Sequence, residues 1–144
     1  MPRPRDDVRR LLILLALAAV ACGGSDNAPT APSPVIVSGA WQLRNVNGAS
    51  LPYAATQPNG KTELLSDQFT LNADGTWVEV ASYRITEGTT VTTTTATATG
   101  VYTSTTNGAL QFTQMSPYSA TFTGAVVNET LRLYLGSLTW AYGR

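Results

Sequence analysis

The sequence contains no histidine and a single cysteine, and only 12% of its 144 residues are charged. The missing histidine removes the commonest general base and the commonest metal ligand together. Ser-His-Asp and Cys-His nucleophile systems are therefore excluded, and the expectation is a non-enzymatic protein with no cofactor and no metal. One cysteine allows no disulfide within the chain. Apolar runs of helical period are also absent beyond the N-terminus, so nothing argues for a helical domain. Basic and acidic residues number nine each, and no basic patch suggests nucleic acid as a partner.

What is present begins with three consecutive textures. Arg3, Arg5, Arg9 and Arg10 form a basic start, and Leu11 to Ala21 is an unbroken apolar run. Ala19-Val20-Ala21 then places small residues before Cys22. This is the order of a secretory signal. The apolar run is about half the ~20 residues that a membrane-spanning helix needs, so a retained anchor helix is the weaker reading. The segment resembles the lipobox of bacterial lipoproteins, with Ala21 and Cys22 in the matching places and Ala19 where leucine is commoner. That resemblance implies cleavage of residues 1–21, lipidation of Cys22 and a membrane partner reached through acyl chains. Gly23 follows the cysteine, where aspartate would favour the inner membrane. The expected location is therefore the cell envelope, with the outer membrane mildly preferred. Gly23 to Pro34 is small, polar and broken by Pro29, Pro32 and Pro34. A tether is expected over residues 22–38 and a folded domain over 39–144.

From Val35 onward Thr, Val, Tyr, Phe and Trp dominate, and turn signals cut the chain into about nine short segments. The reading is all-β: an up-and-down antiparallel meander closing into a barrel of about eight or nine strands. Asn47-Gly48, Asn72-Ala73-Asp74-Gly75, Thr106-Asn107-Gly108, Asn128-Glu129 and Gly136-Ser137 mark turns, and Leu51 to Gly60 reads as a loop. In the segment Leu64 to Leu71, Leu65, Phe69 and Leu71 are expected on one face. Trp77, Ala81, Tyr83 and Ile85 share a phase on the next strand. Val91 to Thr99, almost all threonine and alanine, predicts a strand with weak core contact.

Gly39-Ala40-Trp41 at the first strand resembles the Gly-x-Trp of lipocalins and related calycins. Trp41 to Gly48 with Leu51-Pro52, Leu71 to Trp77, and Gly100-Val101-Tyr102 resemble small bacterial lipocalin-like lipoproteins. The Thr-Asp-Tyr motif and the C-terminal helix of typical lipocalins are missing. The resemblance implies that Gly39, Trp41 and Arg144 close the barrel, with Arg144 lying across the Trp41 ring and Arg132 as the fallback. It also implies an apolar pocket, for which Leu43, Phe69, Leu71, Tyr83, Phe112, Phe122, Leu133 and Trp140 are the candidate lining residues.

The aromatic set can instead fill the core. A barrel of about eight strands is just wide enough for its own side chains or one small ligand. Asp67 and Glu79, on neighbouring strands, are expected to face solvent or a barrel mouth. Turned inward, they would perturb each other or orient a ligand. The leading expectation is an envelope lipoprotein binding a small hydrophobic molecule. The alternative is a structural, protein- or glycan-interaction module with a filled core.

Overall fold

Ten strands and no helix make up residues 35–144, the part of the chain that the computed structural model describes. They are β1 (Gly39–Val46), β2 (Ala49–Ser50), β3 (Tyr53–Gln57), β4 (Gly60–Leu71), β5 (Thr76–Glu87), β6 (Thr90–Ser104), β7 (Ala109–Ser116), β8 (Ala120–Val127), β9 (Thr130–Leu135) and β10 (Leu138–Gly143). The meander from β4 to β10 is antiparallel throughout. β1 then pairs with β10 on one side and with β4 on the other, which closes an eight-stranded barrel. β2 and β3 are additions at the rim.

The turns form where local chemistry allows a reversal. Asn47, Gly48, Asn128 and Glu129 all take positive φ, the geometry of tight hairpins whose twist matches that of the flanking strands. At the β4–β5 turn Gly75 has φ +84°, and Asp74 Oδ1 accepts from the Thr76 amide at 2.9 Å. The Asp74 carboxylate is thus engaged in shaping a hairpin.

The interior is built by alternation. Trp41, Phe69, Trp77, Phe112 and Tyr142 point inward and are at most 1% exposed. Phe69 sits at their centre. It stacks on Trp77 at 4.9 Å between ring centroids and meets Phe112 and Tyr142 edge-on at 5.6 and 5.9 Å. Phe112 stacks in turn on Phe122 at 4.8 Å. Such pairs each contribute ~0.5–1.5 kcal/mol beyond the area they bury.

Three expectations are corrected. The stretch read as a loop contains β3, which pairs with Gly60 to Leu64 of β4. Its residues after Tyr53 are all exposed, so no apolar alternation announced it. A β-bulge between Leu64 and Ser66 shifts the phase of β4. Leu64 is therefore the buried leucine, and Leu65 is only half-buried. Val37, expected within the tether over 22–38, belongs instead to the packed domain. Val37 is buried in the core, and its carbonyl accepts the Trp41 indole N–H at 3.0 Å. The proposed lipidation site and signal segment, Cys22 included, lie outside the described residues.

Candidate functional site: a carboxyl pair beside a polar cleft

Residue register places Asp67 and Glu79 together. Phe69 pairs with Glu79 and Asp67 with Ala81 across β4 and β5, so all four share the inward face. Asp67 is 1% exposed. The expectation that both carboxyls face solvent or a mouth therefore fails for Asp67, because the alternation that buries Phe69 and Leu71 carries Asp67 inward as well. Tyr142 OH donates to Asp67 Oδ2 at 2.9 Å. Asp67 Oδ1 has no other donor among the described residues.

Burial and the adjacent Glu79 carboxyl push Asp67 up to about 8. Glu79 is also raised, chiefly by burial. Burial and like-charge repulsion therefore both favour keeping a proton on the pair, which either carboxyl can carry. Burial and the same two carboxyls raise the Tyr142 phenol well above its usual range, which keeps it a donor.

Next to the pair lies a cleft of about 160 Å³, lined by Glu79, Ala81, Tyr83, Ala98, Gln114 and Tyr118 among others. Small residues on β6 make the space: Ala96, Ala98 and Gly100 present almost no side chain opposite Ala81, Glu79 and Trp77. Gln114 is buried on β7, while Tyr118 in the β7–β8 turn is exposed. The cleft thus has an acidic and amide floor with phenol rings at its rim. A broader depression of about 620 Å³, lined by Asn45, Thr130, Arg132 and Thr139, lies on the outer face of β1, β9 and β10.

The basic residues are engaged elsewhere. Arg84 and Lys61 both bind Glu63 at 2.7 Å on the outer surface of β4 and β5, and together they hold that carboxyl down to about 2. Arg44 donates to the Arg144 carbonyl, and Arg132 is exposed on β9. Arg144 lies over Trp41, with its guanidinium carbon 4.4 Å from the ring centroid. It also donates to the carbonyls of Ile36 and Ser38 at 2.9 and 3.1 Å, and Gly39 stands beside it with φ +132°.

The candidate pocket wall divides. Leu43, Phe69, Leu71, Phe112 and Leu133 are buried against one another, and Phe122 and Trp140 pack on that cluster. Of the eight, only Tyr83 lines the cleft. The others fill the barrel because eight strands leave room for little else once three tryptophans and the phenylalanines are inside. Gln114 and Tyr118 were missed by sequence reasoning. Gln114 alternates with Leu110 and Phe112, a signal that was there to use; Tyr118, in a turn, gave none. No protein-family model matches the chain, and no curated protein matches it.

Proposed function

We propose that this protein is a non-enzymatic, lipid-anchored module of the bacterial envelope, whose filled barrel serves as a rigid scaffold for recognising a small polar ligand. The observation that carries the reading is where the space lies. The barrel axis is occupied by Trp41, Phe69, Trp77, Phe112 and Tyr142, and the room beside them is edged by Glu79, Gln114 and two tyrosines. A hydrophobic passenger would have to displace close-packed rings to enter the barrel. The lipobox-like Cys22 and the Pro-broken segment after it support the anchored placement, as does the likeness to small lipocalin-like lipoproteins.

The test is a Cys22→Ser chain expressed in a bacterial host, fractionated and then examined by native mass spectrometry. We expect it to leave the membrane fraction for the soluble envelope fraction and to carry no apolar passenger. Unchanged membrane association would refute the anchor. A co-purifying hydrophobic molecule would restore the pocket reading.

A further inference from the structure

The carboxyl pair has no basic side chain beside it, among the described residues, to supply a positive charge. Each of the five basic side chains among residues 35–144 is placed elsewhere: Arg84 and Lys61 on Glu63, Arg44 at the C-terminal carbonyl, Arg144 on Trp41, and Arg132 outward on β9. A proton can supply that charge, and so can a ligand. Glu79 lines the cleft, so a cation entering it meets that carboxyl directly. Behind Glu79, the fully buried Asp67 adds a second carboxyl to the same inward face of β4 and β5. Gln114 adds amide hydrogen-bonding groups to the same floor. The rings of Tyr83 and Tyr118 complete the lining, and aromatic faces attract a cation through their quadrupole. Carboxylate, amide and aromatic ring in a space of about 160 Å³ suit a compact organic cation with N–H donors. A bare metal ion would want several oxygen ligands at short range, and no group of three or more such side chains occurs among the described residues.

We propose that the cleft walled by β5 and β6 binds a small organic ammonium ion, held by Glu79 with Gln114 and the two tyrosines around it and with Asp67 behind Glu79. This deepens the polar-ligand reading above and rests on it. The ammonium takes the place of a proton on the pair: its N–H groups donate to the Glu79 carboxylate, and the displaced proton leaves to solvent.

The test uses the full chain in detergent micelles. Propylammonium is titrated against 1-propanol, a neutral molecule of the same heavy-atom count, and binding is followed by NMR at the Gln114 side-chain amide. We expect propylammonium to bind with a Kd on the order of 1 mM, near the limit for so few atoms. 1-Propanol should bind at least roughly tenfold more weakly, and Glu79→Gln should cost propylammonium roughly tenfold, as loss of a charge-assisted contact does. Tyr118→Ala alters an exposed turn and leaves the core untouched, so it reports even if Glu79→Gln misfolds; it should weaken binding severalfold. Equal response to propanol, equal response to sodium ion, or undiminished binding in Tyr118→Ala would overturn the proposal. A neutral polyol that binds the cleft while propylammonium does not would also overturn it, yet leave the polar-ligand reading standing.

Discussion

Asp67 gives the molecule an unusual dependence on pH. Its carboxyl releases its proton near 3.8 in an unfolded chain and near 8 in the fold. Between those values the folded state binds more protons than the unfolded state, so stability falls as pH rises. Glu79, also raised, acts in the same sense. Glu63 acts oppositely and lower down: its stabilisation is present above 4.5 and is lost as pH falls toward about 2. Thermal melts should therefore show a Tm highest near pH 4–5 that declines toward pH 8. Asp67→Asn should flatten the decline, because an amide can accept from Tyr142 and donate to Glu79 without ionising. A wild-type Tm that climbs from pH 5 to 8 would refute the proton on the pair. The position of Asp67 was legible, since it alternates in phase with Phe69 and Leu71. What misled was the general rule that charged residues stay outside. A pair that keeps a proton is only partly charged, so that rule loses its force here.

At the scale of the element, β6 is two strands in one. From Thr90 to Ala98 it pairs with β5 alone; Thr99 to Val101 lie between β5 and β7, and Tyr102 to Ser104 pair with β7. The free half is exposed from Thr90 to Thr97, and apart from Val91 it is threonine and alanine. Its composition announced this, because β propensity without apolar content describes a strand with no core to cover. The held half depends on small inward residues. A Cβ on Gly100 would stand 2.8 Å from the Trp77 indole nitrogen and collide with the Thr113 carbonyl. Gly100→Ala should thus cost about 1–3 kcal/mol in urea unfolding, the usual cost of overpacking. A neutral result would mean that Trp77 has room to move, and the cleft beside it would then be less rigid than described. The bulge in β4 was not legible. An inserted residue leaves no compositional mark, and Leu64-Leu65 offers two equivalent leucines from which packing chooses one.

For the whole molecule, the decisive step is the arrival of β1 between β4 and β10. Its pairing with β4 spans only Gly39 to Gln42, so closure there leans on side chains. Arg144 contributes both hydrogen bonds to the segment leading into β1 and contact with the Trp41 ring. Arg144→Ala should lower stability by about 1–2 kcal/mol, or roughly 5–10 °C in Tm for a domain of this size. An unchanged Tm would show that backbone pairing suffices. The barrel itself was readable because turns, alternation and length agreed with one another. Its contents were harder to read, since the same rings that wall a pocket in a wide barrel plug a narrow one.

The Arg144 clasp lies at one end of the barrel, and the same end carries Gly39, the β4–β5 turn and the β8–β9 turn. Tyr118, at the rim of the cleft, belongs to the β7–β8 turn at the other end. The described chain therefore enters β1 at the pole opposite Tyr118, so a ligand approaching the cleft by its exposed rim and the strand that closes the barrel do not compete for the same end.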